Sequence, residues 1–188
     1  MSNANSAILS YPAATPEQTR DYMLHKLSFH ADAWDVAEDL RMGIDSIVVI
    51  DTRSEALYAQ GHVPGAISFP HRTMTAESTA ALDRSKTYVT YCDGIGCNGS
   101  TKGAYKLAAL GCTVKEMLGG LDFWIRDGQP LALGAEPGRI DRATPAWNAP
   151  ADGSRRGDPG AASPGRRRPG VGRVVSGACR LRGTALPG

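Results

Sequence analysis

Tyr88-Val89-Thr90-Tyr91-Cys92-Asp93-Gly94-Ile95-Gly96-Cys97-Asn98-Gly99-Ser100 is the stretch whose reading decides the fold. Its first four residues are aromatic or β-branched, as in a strand. Three glycines follow, and Ser100 opens a helical pattern with Ala104, Leu107 and Ala108 on its inner stripe, stopped by Gly111. The prediction is strand, glycine-rich loop, helix. Glycines let successive amides turn toward one centre, and a helix N-terminus adds partial positive charge. A cysteine at the mouth of such a loop is expected to have a lowered pKa and to react as the thiolate. Taken by itself, the stretch reads equally as a buried structural cysteine beside a loop that merely turns.

The flanking chain alternates strand and helix. Thr15-Pro16-Glu17-Gln18 is a capping box with proline at the first helical position, predicting a helix to about Lys26. Leu27 to His30 alternates apolar and polar residues, as a short strand does. Asp32 caps a second helix with Ala33, Val36, Ala37 and Leu40 inward, ended by Gly43. Ile47-Val48-Val49-Ile50 is a continuous β-branched run, as in a strand buried on both faces of a parallel sheet. Ser54 caps a helix over Glu55 to Gln60, and Gly61 to Ala66 turns into a strand at Ile67-Ser68-Phe69. Thr75 to Leu82 reads as a weak helix, Thr113 to Leu118 as the last strand, and Leu121 to Arg126 as a short helix. Alternation with short connections implies an α/β fold, a parallel sheet flanked by helices on both faces.

Composition divides the 188 residues. From Ala151 onward there are eight Arg, no Lys and two Asp, so the net +2 splits into +6 there and −4 on residues 1–150. That stretch has nine Gly and four Pro in 38 residues and no aromatic, a composition that cannot offset its own ordering entropy. The expected organisation is an arm with a tag remnant over 1–14, one domain over 15–135, and a disordered tail over 136–188. Four unevenly spaced cysteines are no disulfide framework. No apolar run approaches a membrane span, and the Met-Ser-Asn-Ala start lacks the basic and apolar regions of a secretory signal. A reducing, cytoplasmic setting is the simplest expectation. Neither membrane nor nucleic acid is expected as a partner.

Two ordered motifs carry a resemblance. Val49-Ile50-Asp51-Thr52-Arg53-Ser54-Glu55, with Tyr58 and Gly61-His62-Val63-Pro64-Gly65-Ala66, resembles the first signature of the rhodanese-like domains. Tyr91-Cys92, Ser100, Leu107, Gly111 and Gly119-Gly120-Leu121 with Trp124 resemble the second. The resemblance covers about residues 32–131. It implies a five-stranded parallel sheet and a sulfurtransferase that carries sulfane sulfur as a Cys92 persulfide. A small donor such as thiosulfate, a thiol or cyanide acceptor and a sulfur-accepting protein are the implied partners; no metal or organic cofactor is required. The chemistry agrees with the residues: a thiolate attacks the outer sulfur of the donor. Loop residues Asp93, Gly94, Ile95, Gly96, Cys97, Asn98, Gly99 and Ser100 would cradle the anion.

Two departures qualify the resemblance. The loop from Cys92 to Ser100 is two residues longer than the family's usual Cys-x-x-Gly-x-Arg-Ser, implying a wider pocket and a bulkier donor. It also lacks Arg, since Gly99 stands where Arg is often found, which leaves the amides, the helix end and Lys102 to hold the anion. Asp93 is expected to point outward. Asp51 and Arg53 are expected to form a structural network with Glu55 or His62, because unpaired charge at the end of a buried strand is costly. Cys97 reads either as a thiol that resolves a persulfide or sulfenate or as a small loop residue. The two thiols are expected unbridged in the reduced structure, with a bridge requiring loop rearrangement. Competing functions are a Cys-x5-Arg phosphatase or arsenate reductase, whose arginine position is Asn98 here, and a non-catalytic regulatory module.

Overall fold

The computed structural model describes residues 6–142. Five strands form one parallel sheet: β1 (His30–Ala31), β2 (Ile47–Asp51), β3 (Ile67–Ser68), β4 (Thr87–Tyr91) and β5 (Thr113–Met117), in the order β1-β5-β4-β2-β3. The helices are α1 (Pro16–Phe29), α2 (Ala33–Met42), α3 (Glu55–Gln60), α4 (Gly99–Ala109) and α5 (Gly120–Arg126). The α/β class, the parallel sheet and its five strands are as expected. Among the described residues no helix is long and apolar enough to cross a membrane.

The pleat sorts the core into two layers. On one face Val49, Val89 and Met117 pack with Val36 and Ala37 of α2 and Leu121 and Trp124 of α5. On the other, Ile50 and Tyr88 pack with Leu107 of α4 and Met74. Adjacent strand residues point to opposite faces, so β2 and β4 each feed both layers. Full burial of large side chains such as Trp124, Tyr88 and Leu107 stabilises the sheet–helix sandwich by about 1.5–3 kcal/mol each.

The caps fall where the sequence places them. Thr15 and Gln18 form the capping box of α1, Asp32 caps α2, and Gly43 ends it in the left-handed conformation. Ser54 accepts from the Leu57 amide at the start of α3. Four expectations need correction. Residues 27–29 are helical, since α1 runs on to Phe29 and the strand begins at His30. Residues 75–82 form turns, because Ser78 and Thr79 hydroxyls bond back to Thr73 and Thr75 carbonyls and compete with a helical ladder. Ala108 is exposed, and Gly103 takes its place against the sheet. The packed unit also continues past residue 135: Ile140 is buried in the core, and the Gly65 amide donates to the Pro137 carbonyl at 2.7 Å. The expected tail beyond residue 142 lies outside the described residues.

Candidate active site

The chain leaves β2 toward β3 on one side and crosses back to β4 on the other. A crevice at the carboxyl ends of the strands is expected where the winding reverses in this way. A cavity of about 300 Å³ lies there, lined by Thr52, Arg53 and Ser54 after β2, Pro70, His71 and Arg72 after β3, and Cys92, Asp93, Cys97 and Gly99 after β4, with Leu57 of α3.

One wall is a buried ionic post. Arg53 donates from Nε to Asp51 Oδ1 at 2.9 Å and from Nη2 to Asp51 Oδ2 at 2.6 Å, and Nη2 also reaches the Gly61 carbonyl at 2.6 Å. Tyr91 donates its hydroxyl to Asp51 Oδ2 at 2.7 Å and accepts from the Val63 amide. The Asp51 carboxylate is completely buried and is held by both partners. Burial opposes the charge on Arg53, but the Asp51 hydrogen bonds and charge outweigh it and hold the pKa above the ordinary arginine value. Burial, then the Asp51 charge, pushes the Tyr91 phenol up. The expected Asp51–Arg53 network is present; its further partners are Tyr91, Gly61 and Asp93, with no contact to Glu55 among the described residues. His62 lies apart from it, completely buried and stacked on Tyr58 with ring centroids 3.6 Å apart. Its ring nitrogens face the Tyr58 carbonyl and the carbonyls of Glu136 and Pro137, so it ties the 136–137 segment to α3.

The loop forms the other wall. Its base is held from behind by the Gly119-Gly120 turn: the Leu121 amide donates to the Cys92 carbonyl at 2.9 Å and the Asp122 amide to the Asp93 carbonyl at 2.8 Å. Gly120 has φ +57°, and a Cβ there would sit 2.4 Å from the Cys92 carbonyl oxygen, so only glycine lets α5 approach the loop this closely. Gly99 starts α4, and a Cβ on it would lie 2.8 Å from Cys92 Sγ.

Cys92 and Cys97 are joined by a disulfide, with Cα atoms 6.3 Å apart, inside the range such bridges span. The structure thus holds the oxidised pair, whereas the unbridged arrangement is expected of the reduced chain; the bridged loop closes through a turn in which the Cys97 amide donates to the Gly94 carbonyl. The Gly99 amide donates to Cys97 Sγ at 3.4 Å. Cys92, Asp93 and Cys97 bring candidate metal-ligand atoms within 4.8 Å of one another, but the bridge engages both sulfurs.

Of the eight predicted cradle residues, Asp93, Cys97 and Gly99 line the Cys92 cavity. Gly94, Ile95 and Gly96 face an adjoining hollow with Asp122, Phe123 and Arg126. Asn98 is exposed and precedes α4 without a side-chain cap bond. Ser100 turns its hydroxyl to Glu116 at 2.7 Å. Asp93 is exposed yet does not point clear of the site, because Arg53 Nη1 holds its carboxylate at 3.2 Å. Lys102 does not line the cavity; its charge is felt at His71.

Sequence reasoning missed Pro70-His71-Arg72. The His71 amide donates to the Thr52 carbonyl at 3.1 Å, which lays this segment along the end of β2. Among the described residues Arg72 enters no ion pair, so the cavity has the cation that the loop lacks. Burial, then the charges of Lys102, Arg72 and Lys106, lowers the His71 pKa. A basic pair directly after a parallel strand was the available signal, since that position faces the carboxyl-end crevice.

Fold and site together define an α/β domain with a cysteine loop between strand and helix. Residues 35–127 match the family profile of the Rhodanese-like domain, and through them the chain belongs to the rhodanese-like family. The BH2092 protein of Bacillus halodurans is 35% identical with a TM-score of 0.62, covering 64% of this chain and 88% of that one. A protein from Lactobacillus plantarum is 26% identical with a TM-score of 0.54, covering 62% and 98%. The HTH-type transcriptional regulator Rv0324 of Mycobacterium tuberculosis is 30% identical over 95 residues, which are 50% of this chain and 42% of that one.

Proposed function

We propose that the domain is a sulfurtransferase whose reduced Cys92 takes a sulfane sulfur from an anionic donor. The observation that carries the reading is the position of Cys92, buried in a cavity that also presents Arg72 and His71. With thiosulfate, the Cys92 thiolate attacks the outer sulfur, the S–S bond breaks and sulfite leaves with the electron pair. A thiolate or cyanide then attacks the persulfide's outer sulfur and regenerates the Cys92 thiolate. Arg72 meets the donor's oxygens, while Arg53, engaged by Asp51 and Asp93, positions the wall. A phosphatase or arsenate reductase is disfavoured because Asn98 stands at the position of the bidentate arginine that clamps an oxyanion.

A regulatory reading is favoured by one finding, the transcriptional regulator among the relatives; the chain spans 42% of that protein, and the module would then be switched by its loop cysteines. Thiosulfate:cyanide transfer measured beside aryl phosphate hydrolysis, on the reduced chain, separates the three. Sulfur transfer by the wild type, its loss in Cys92→Ser at unchanged melting temperature, and no phosphate release are the expected results. Full turnover by Cys92→Ser contradicts the mechanism.

A further inference from the structure

Cys97 lines the Cys92 cavity and the adjoining hollow of Ile95 and Phe123, whereas Cys92 lines only the first of these two. Cys92 is buried and Cys97 half-buried. A single position, the absent Cβ of Gly99, would touch both sulfurs, at 2.8 and 3.3 Å. The loop thus holds two sulfurs together, one turned inward to the donor cavity and one reachable from outside. A Cβ at Gly96, between them in sequence, would meet nothing within 4 Å, so the loop has open space at that point.

We infer that Cys97 is the resolving thiol of a sulfane-sulfur reductase cycle, so that the domain's own loop is the first acceptor and hydrosulfide the product. The inference rests on the Cys92 persulfide proposed above. The Cys97 thiolate attacks Cys92 Sγ, the Cys92–Cys97 bond forms, the bond to the outer sulfur breaks, and hydrosulfide leaves with the electron pair. The sulfane sulfur is reduced to sulfide as the two thiols are oxidised to the disulfide, and no other oxidant takes part. An external dithiol closes the cycle. One of its thiolates attacks Cys97 Sγ, the more accessible sulfur, and releases the Cys92 thiolate; its second thiolate resolves the mixed disulfide. The exposed Ile95 side chain beside Cys97 offers apolar contact for a protein that carries such a dithiol.

The test is a single turnover under anaerobic conditions. The full chain is reduced, freed of reductant, and treated with thiosulfate in the absence of cyanide and thiols. Hydrosulfide is trapped with a fluorescent alkylating agent, and the loop peptide is examined by mass spectrometry. Wild type is expected to release hydrosulfide equimolar with the chain and to end with the loop bridged. Cys97→Ser and Cys97→Ala are expected to hold the sulfur as a Cys92 persulfide and to release it only when dithiothreitol is added. A wild-type chain that retains the persulfide with Cys97 still alkylatable overturns the inference and leaves the Cys92 reading standing. Folded Cys97 variants that take up no sulfur overturn both.

Discussion

At the end of β2 the side chains of Asp51, Arg53 and Tyr91 are all engaged with one another, whereas the loop after Cys92 is held by one turn, one disulfide, two amides from behind and the Arg53 contact to Asp93 at its edge. Both walls face the same cavity. The first is over-determined: Asp51, completely buried, has Arg53 in two-point contact and the Tyr91 hydroxyl besides. The second leaves Ile95 four-fifths exposed and Gly96 without near neighbours. In the proposed sulfur transfer the fixed wall would position the donor, and the loosely held one would let two sulfurs approach, bond and part.

The largest effect that tests this contrast is at Asp51. Asp51→Ala leaves the Arg53 guanidinium buried without its counter-ion, and breaking a buried pair from one side costs about 3–5 kcal/mol. Denaturant unfolding should show that loss, while Ile95→Ala in the loop stays within about 0.5 kcal/mol of wild type. Equal losses at the two positions would remove the distinction between the walls.

Gly120→Ala comes next. It places a Cβ against the Cys92 carbonyl in a left-handed backbone conformation, a strain of about 1–3 kcal/mol. Relief requires the loop base to move, so melting temperature and sulfur transfer should fall together. An unchanged transfer rate would mean that α5 does not hold the loop.

Arg72→Ala should lower kcat/KM for thiosulfate about tenfold, the equivalent of about 1.4 kcal/mol from one charge-assisted contact. Stability should not change, since Arg72 is exposed. An effect equal for anionic and neutral donors would assign Arg72 no part in recognising charge.

The smallest effect is at His71. Its pKa is lowered in the folded state from the ordinary 6.5, so the unfolded chain binds the proton more readily. Stability therefore falls as pH drops through the ordinary histidine range, and the loss levels off below the folded pKa. His71→Gln should flatten that part of the stability–pH curve. A curve of unchanged slope would place its origin in other groups.

The unequal walls also explain what the sequence disclosed. The strands were legible because the β-branched run at Ile47–Ile50 and the Tyr88–Tyr91 run suit only buried strands between glycine-rich turns. The Asp51–Arg53 post was legible because two charges at the end of such a strand must pair. Its partners Tyr91, Gly61 and Asp93 were not, since they are brought in by parallel pairing and by the turn after α3, which spacing does not encode. The place of Cys92, between the end of β4 and a loop leading into α4, was legible from strand, glycines and helix start. Cys97 was legible as a thiol within bridging reach, but not the loop conformation that joins it to Cys92: the direction of each side chain depends on the Gly94–Cys97 turn, and glycine-rich sequence permits many. The cation for the donor was sought at Lys102 in the first turn of α4, but the cavity's one without an ion pair among the described residues, Arg72, comes from the segment after β3. The Thr75–Leu82 helix failed for a local reason, the competition of serine and threonine hydroxyls for backbone partners.

The most direct test of the central claim is to locate the transferred sulfur. The reduced chain is treated with thiosulfate labelled in its outer sulfur, quenched with an alkylating agent, and its loop peptide sequenced by mass spectrometry; Cys97→Ser is used so that the adduct persists. The account predicts one labelled sulfur on Cys92 and none in the Cys92→Ser, Cys97→Ser double variant. Label absent from Cys92, or retained in the double variant, would contradict it.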